Sequence, residues 1–110
     1  MRKRLPNRRA GENITYDWQG NRMDAHLGFY DNGQLGEVFL SAAKSGTGLS
    51  IAMIEAAVAV SLALQFGCPP DVLLAAMPHD ERAGTGGIPE GPVGKLLAML
   101  EKRPKLVEVE

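Results

Sequence analysis

The run from Leu49 to Phe66 constrains the fold of this chain most, because its 18 residues contain a single charged side chain, Glu55. Its length approaches the roughly 20 apolar residues that cross a bilayer. However, Glu55, Ser61, Gln65 and many alanines make insertion unfavourable. We therefore predict a buried central helix. A helix that is apolar all round needs cover on more than one side, from a sheet and later helices or from a second subunit.

The apolar residues of this helix fall on three faces. Small side chains form one stripe that would let another backbone approach closely: Ala52, Ala56, Ala59 and Ala63. The other two faces carry Ile51, Ile54, Val58 and Leu62, and Met53, Ala57, Val60 and Leu64.

Three segments before the helix alternate apolar and polar residues, which is typical of strands with one buried face. They cover residues 12–18, 23–30 and 36–42. The first two are separated by Gln19-Gly20-Asn21 and the last two by Asp31-Asn32-Gly33, whose Gly and Asn residues tolerate the left-handed backbone of tight hairpins. The pattern predicts a three-stranded antiparallel meander.

Two shorter helices are predicted after the long one. Gly67 is a left-handed cap that ends the long helix, and Pro69-Pro70-Asp71 begins a helix that ends near Met77. Residues 78–91 indicate an irregular surface loop, and a third helix runs from Pro92 to Lys102 and Arg103. The fold class is therefore α+β, with the meander packed on the long helix. We divide the chain into a basic arm (1–11), one domain (12–103) and a tail (104–110).

The formal net charge of −1 hides an asymmetry. Residues 1–9 contain five cations and no acid: Arg2, Lys3, Arg4, Arg8 and Arg9. The other 101 residues carry 7 basic and 13 acidic side chains, a balance of −6. Such an arm can bind phosphates or an acidic surface, or it can fold back onto the acidic body. Charge alone leaves both open.

The segment Lys44-Ser45-Gly46-Thr47-Gly48 leads from a strand into the start of the long helix. Free backbone amides and the helix dipole favour an anion at such a position, and Lys44 would add charge. A structural loop with Thr47 or Ser50 as the helix cap is the alternative. It is not a P-loop, because Phe39 stands where that motif has its first glycine.

One cysteine, Cys68, excludes an internal disulfide framework and a zinc site built from two thiolates. We therefore expect a reducing compartment, and the absence of a secretory signal pattern makes the cytoplasm the expected location. His79, Asp80 and Glu81 carry metal-capable atoms, but adjacent loop residues rarely converge on one ion. No metal, cofactor, catalytic residue or membrane partner is predicted.

Five motifs occur in an order that resembles a known family: Leu5-Pro6-Asn7-Arg8-Arg9, Tyr30-Asp31-Asn32-Gly33, Gly36-Glu37-Val38-Phe39, Lys44-Ser45-Gly46 and the segment from Ser61 to Pro69. Together they resemble the TSCPD domain, a small free-standing protein that also forms the carboxyl-terminal domain of adenosylcobalamin-dependent (class II) ribonucleotide reductases. The likeness covers residues 3–77, and Gly91-Pro92-Val93-Gly94 resembles the ending of free-standing members. The pentapeptide that names the family is absent, and Gly67-Cys68-Pro69-Pro70-Asp71 stands near its expected place.

The resemblance implies a link to deoxynucleotide synthesis. Ribonucleotide reduction requires a radical cysteine and a reducing cysteine pair, and one cysteine cannot supply three, so catalysis by this chain alone is not expected. We predict an accessory or regulatory module that docks on a reductase or similar protein, or binds a nucleotide or nucleic-acid phosphate. Its candidate site residues are Lys44, Ser45, Gly46, Thr47, Arg8, Arg9 and Glu37, with the basic-arm residues Arg2, Lys3 and Arg4.

Two other functions stay open at this stage. The chain could be a nucleic-acid-binding protein that uses the basic arm, or a homo-oligomeric structural protein, for example a homodimer, in which the apolar helix is covered by its copy. Glu37 could also serve only as the ion-pair partner of a neighbouring cation.

Overall fold

The computed structural model of the chain describes residues 1–42, 47–81 and 87–103. Within these ranges the α+β prediction is confirmed, with a three-stranded antiparallel sheet and a long helix packed against it. The elements are β1 (Ala10–Trp18), β2 (Asn21–Phe29), β3 (Leu35–Ala42), α1 (Gly48–Gln65), α2 (Pro70–Ala76), β4 (His79–Asp80), β5 (Ile88–Pro89) and α3 (Pro92–Glu101).

Local backbone chemistry determines where the first elements end. Gln19 and Gly20 both have positive φ, 50° and 81°, which is the two-residue hairpin turn that matches strand twist. Asn21 therefore already belongs to β2, where it pairs with Trp18. Gly67 follows the C-cap residue Phe66 of α1. Its φ of 98° shows that the chain leaves the helix in the left-handed conformation, as predicted.

The register of the meander gives the sheet two unlike faces. The inner face carries the cross-strand rows Ile14–Ala25–Leu40 and Tyr16–Met23–Ala42. The outer face carries Thr15–Asp24–Ser41 and Asn13–His26–Phe39. In the second outer row the exposed Phe39 ring lies 5.9 Å from the His26 ring, centroid to centroid.

The inner face of the sheet forms one side of the core. Met23 and Leu27 are fully buried there, together with Leu96 of α3. The α1 residues of the same core cluster are Ala57, Val60 and Leu64. The alanine stripe does not form this contact, because Ala52 and Ala59 are exposed and Ala56 and Ala63 are only half-buried.

The opposite face of α1 is exposed in the single chain. Its large apolar residues are Ile51, Ile54, Val58, Leu62 and Phe66. By length and composition α1 could cross a membrane, with a mean hydropathy of 1.7. Only 28% of its 18 residues are buried, because one face of α1 packs on the sheet and the opposite face does not; the predicted burial of the helix therefore holds for one face.

Helix α1 also covers the free edge of β3. The Ser61 hydroxyl accepts a hydrogen bond from Val38 N at 2.8 Å and donates one to Val38 O at 3.0 Å. One helical turn further, Gln65 Nε2 donates to Gly36 O at 3.0 Å. These side chains satisfy peptide groups that an edge strand would otherwise leave open to another chain.

The predicted irregular loop at 78–91 contains a short antiparallel pair, β4 with β5. Two-residue strands are too short to produce an alternating pattern, so the sequence carries no signal for them. The segment that follows is held to β1: Trp18 Nε1 donates to Glu90 O at 2.8 Å, and the Tyr16 hydroxyl donates to Pro92 O at 2.7 Å. Burial raises the pKa of the Tyr16 phenol well above its ordinary value.

Replacing Ser61 tests the edge contact. Ser61→Ala removes both hydrogen bonds to Val38. We expect the free energy of unfolding to fall by about 1–2 kcal/mol, because the N–H and C=O groups of the buried Val38 lose their hydrogen-bond partner. Urea denaturation followed by circular dichroism measures the change. Ser61→Thr keeps the hydroxyl and is the matched control; equal losses in both variants would show that the hydroxyl contributes nothing.

A second prediction concerns the ion pair between Arg103 and Glu12, whose atoms lie 2.6 Å apart. Hydrogen bonding to Arg103 lowers the pKa of Glu12, so the pair stabilises the fold above the ordinary glutamate pKa and loses this effect as the pH falls through the lowered value. We expect Arg103→Ala to lower the free energy of unfolding by up to about 1 kcal/mol near pH 7.

This difference between wild type and Arg103→Ala should fade below about pH 4, when Glu12 takes up a proton. Urea denaturation at a series of pH values checks it. Lys102→Ala is the control, because Lys102 is exposed and its side chain forms no hydrogen bond or ion pair within the described ranges. A difference that is independent of pH would contradict the ion-pair explanation.

Candidate functional site

The basic arm is docked on the body through Gln65, at the end of α1. The backbone N–H of Lys3 donates to Gln65 O, and Arg2 Nε donates to Gln65 Oε1, both at 2.7 Å. The Tyr30 hydroxyl donates to Lys3 O, and the ammonium group of Lys3 lies 5.1 Å from the centre of the Tyr30 ring. The arm therefore folds back onto the body.

An ion pair between Arg9 and Glu37 holds the other end of the arm. Arg9 Nε and Nη2 both donate to the Glu37 carboxylate, the latter at 3.1 Å, and Arg9 Nη1 donates to Pro6 O at 2.7 Å. Glu37 is only 6% exposed. Such burial of a carboxylate requires a hydrogen-bonded partner, which Arg9 supplies.

Gly28 makes room for this pair. Gly28 lies opposite Glu37 in the neighbouring strand, and a Cβ atom at position 28 would lie 2.2 Å from a Glu37 carboxylate oxygen. A side chain at position 28 would therefore displace the carboxylate. The structure shows Glu37 paired with a neighbouring cation, Arg9; its role in docking or phosphate binding stays a prediction.

The arm presents two cations outward. Arg4 and Arg8 are exposed, and neither forms a hydrogen bond or ion pair within the described part of the chain. We call Arg4 and Arg8 the arm surface. Two positive charges on an immobilised segment can recognise carboxylates or phosphates with less loss of conformational freedom than a disordered terminus.

A groove runs beside the arm between the outer face of the sheet and α1. It encloses about 700 Å³ and extends from Arg2 and Glu37 along Phe39. Its α1 wall consists of Ile54, Ala57, Val58, Ser61, Leu62 and Gln65. The groove is thus mostly apolar on its α1 side, whereas its sheet side also carries the polar residues Asn13, Thr15, Asp24, His26 and Ser41.

The predicted anion segment is only partly described. Thr47 is the N-cap of α1, and its hydroxyl oxygen accepts from Ser50 N at 3.2 Å, so of the two predicted caps Thr47 takes that position. Lys44, Ser45 and Gly46 lie outside the described residues. Their predicted role therefore stays a prediction.

Cys68 and His26, two described side chains of types that can carry chemistry, have local contacts. Cys68 is half-buried and its thiol lies near Pro69 O at 3.8 Å. His26 Nδ1 bonds to Asn13 Oδ1 at 2.7 Å on the outer face of the sheet. In residues 1–42, 47–81 and 87–103, no group of three or more His, Cys, Asp and Glu side chains could hold a metal ion.

Sequence reasoning brought Arg9 and Glu37 into one candidate site, and the structure places them together. It missed Gln65, Tyr30 and Gly28, which position the arm. Arg2 and Gln65 are 63 residues apart, so no local pattern connects them. The one available signal was a glutamine near the end of an otherwise apolar helix, which indicates a polar partner for that side chain.

Removal of Arg9 tests whether the ion pair holds the arm. Arg9→Ala leaves the Glu37 carboxylate buried without its cation, and we expect the free energy of unfolding to fall by about 2–3 kcal/mol. In the double variant Arg9→Ala, Glu37→Gln the loss should be smaller, because no charge remains buried. Urea denaturation gives both values.

Arg8→Ala is the matched control for Arg9→Ala. The Arg8 side chain is exposed, and its removal should change the free energy of unfolding by less than about 0.5 kcal/mol. If Arg8→Ala and Arg9→Ala destabilise equally, the effect comes from general arm charge and the pairing with Glu37 is not what holds the arm.

Comparison with known proteins identifies a family that matches most of this chain. The family described as the TSCPD domain matches residues 2–101, which includes the arm, the sheet and all three helices. No solved structure matches the chain.

Curated relatives match a shorter part. A protein named vitamin B12-dependent ribonucleotide reductase from Bradyrhizobium diazoefficiens is 39% identical over 70 residues, which is 64% of this chain and 6% of the relative. Proteins of the same name from Agrobacterium fabrum and Rhodopirellula baltica are 35% and 31% identical over 62% and 71% of this chain, and 5% and 8% of their own length. The chain thus spans less than a tenth of these relatives.

Proposed function

Because the chain belongs to the TSCPD domain family, as its motifs predict, we propose that it is an accessory module of ribonucleotide reduction that docks on a reductase through its arm surface. The module acts in the cytoplasm and supplies a binding surface to its partner. Chemistry at the substrate belongs to the partner.

The size of the match supports a modular role. The matched segment is a small part of reductases that are each many times longer than it. This chain of 110 residues contains one cysteine, so it lacks the three thiols that ribonucleotide reduction requires. A surface for association is what remains for the module to contribute.

The observation that carries the proposal is that the basic arm is held against the body by contacts at both of its ends. Three cations, Arg2, Lys3 and Arg9, are engaged with Gln65, Tyr30 and Glu37. These contacts hold Arg4 and Arg8 in place for an acidic partner surface. Complementary charge of this kind accelerates association and selects the partner.

Binding to nucleic acid is the weaker alternative. If all five arm cations met phosphates, affinity for duplex DNA would fall with salt at a log–log slope of about −4.5, whereas Arg4 and Arg8 alone give about −1.8. Since the other three cations already have partners on the body, the arm surface favours a protein over a polyphosphate backbone.

Vitamin B12 appears in the names of the relatives. The described residues do not fit this cofactor. The groove beside Phe39 holds about 700 Å³, within the range of sites for drug-sized ligands, and a corrin ring with its nucleotide loop is much larger. We therefore assign no step of the proposed function to B12.

The docking proposal is tested by reversing charge on the arm surface. The probe is the full-length B12-dependent reductase of the organism that produces this chain, immobilised for biolayer interferometry. We expect Arg4→Glu and Arg8→Glu each to weaken binding at least tenfold, about 1.4 kcal/mol, without lowering the melting temperature. Lys102→Glu reverses one exposed charge elsewhere and should leave binding within twofold.

Two results would contradict the proposal. The first is no binding of the wild-type chain to the reductase, and the second is equal weakening by Lys102→Glu. Thermal unfolding with nucleoside di- and triphosphates, phosphate and short DNA tests the alternative of phosphate or nucleic-acid binding, because a ligand that binds the folded state raises the midpoint temperature of unfolding. A shift that Arg8→Glu abolishes would replace docking by phosphate binding.

A further inference from the structure

The exposed face of α1 is unusual for a protein surface in water. Ile51, Ile54 and Val58 each expose more than half of their area, at 54%, 52% and 56%. Leu62 and Phe66 continue the same face. Contiguous apolar surface of this kind marks an interaction site more often than a free surface.

The apolar side chains of this face are arranged symmetrically about Val58. Ile54 and Leu62 lie four residues on either side, and Ile51 and Phe66 lie seven and eight residues away in opposite directions. An antiparallel copy of α1 would therefore place Ile54 against Leu62 of the partner subunit, and Ile51 near the partner's Phe66. This self-complementarity is the requirement of a twofold interface.

The groove lies on one flank of the same face. Ile54, Val58 and Leu62 belong both to the face and to the groove wall, and Phe39 lies across the groove. A twofold axis perpendicular to two antiparallel helices places the same flank of each helix on the same side of the pair. The groove flank of one copy would therefore lie beside the groove flank of the other, and the two grooves would cover Phe39, which is 57% exposed in the single chain.

The charges of α1 indicate that a second copy of the chain, and not a membrane, covers its exposed face. Helices that lie in a membrane surface carry Lys or Arg on their polar side, and α1 has none. Its one charge, Glu55, is exposed and lies within the same face, four residues after Ile51 and three before Val58. In the antiparallel pair the two copies of Glu55 are about six residues apart along the helices, roughly 9 Å, so they do not meet directly.

Helix α1 by itself supplies part of the area of a specific dimer. Its 18 residues extend for about 27 Å at a diameter of about 10–12 Å, a footprint of roughly 300 Å² per copy. Contacts between the groove walls and Phe39 would add to this area, and a stable interface buries roughly 1,000 Å² or more in total.

We propose that this chain forms a homodimer in which α1 packs antiparallel against α1 of a second copy, with the twofold axis at Val58. This goes beyond the docking function, because the arm surface is not part of the interface.

Sedimentation tests the oligomer. We expect the wild-type chain at micromolar concentration to sediment as a dimer of 11.8 kDa subunits, and Val58→Asp to raise the dissociation constant at least tenfold. Val72→Asp is the matched control, since Val72 is 52% exposed on α2, and it should leave the dimer intact. Circular dichroism verifies that both variants fold.

Disulfide trapping tests the register, with Cys68→Ser as the background because Cys68 is the one native thiol. Helices 8–10 Å apart bring Cα atoms on the twofold axis to within reach of a disulfide. Val58→Cys should therefore cross-link to itself under mild oxidation. Ile51→Cys should not, but it should cross-link when mixed with Phe66→Cys.

A wild-type monomer, or a dimer that Val58→Asp does not weaken, would overturn the proposal. Self-cross-linking of Ile51→Cys as efficient as that of Val58→Cys would overturn the antiparallel register. Co-sedimentation of a monomeric chain with phosphatidylcholine–phosphatidylserine vesicles would assign the face to a membrane. Loss of reductase binding in Arg8→Glu with an intact dimer would separate the two proposals.

Discussion

The peptide groups on the free edge of β3 present the constraint on which the rest of this structure depends. A three-stranded meander has two open edges, and an open edge recruits other strands. Here α1 runs beside β3, so that Ser61 bonds to both peptide groups of Val38 and Gln65 bonds to Gly36 O. Because the helix must stay close to the edge to make these bonds, one of its faces packs into the core and the opposite face stays exposed.

The position of α1 also determines where the basic arm can lie. Gln65 uses its amide nitrogen for the sheet and its two oxygens for the arm, and Glu37, two residues before Phe39 on β3, holds Arg9. The arm is therefore not an appendage that charge alone attracts to an acidic body. The arm packs along the line where β3 and α1 meet, and its two outward cations, Arg4 and Arg8, are positioned by contacts within this chain.

The elements were predictable where the signal is local. Period-two alternation and the turns at Gly20 and Gly33 predict the three strands, and Gly67 predicts the end of α1, with bounds that differ from the structure by one or two residues. The burial of Glu37 was not predictable, because it depends on Gly28 in another strand and on Arg9 at the arm. The exposed face of α1 was not predictable either, since an evenly apolar helix does not reveal which side meets the sheet. The candidate residues Lys44, Ser45 and Gly46 lie outside the described residues.

The three partners of Gln65 have a kinetic consequence. When the arm lifts, the Gln65 side chain loses the bond from Arg2, and the Gln65 backbone carbonyl loses the bond from Lys3 N. The bond from the Gln65 side chain to Gly36 O weakens with them. The carbonyl of Gly36 then becomes open to water or to a foreign strand. Amide hydrogens in the β3 region and in the arm are thus expected to exchange with solvent as one unit, since the opening of either segment lowers the barrier for the other.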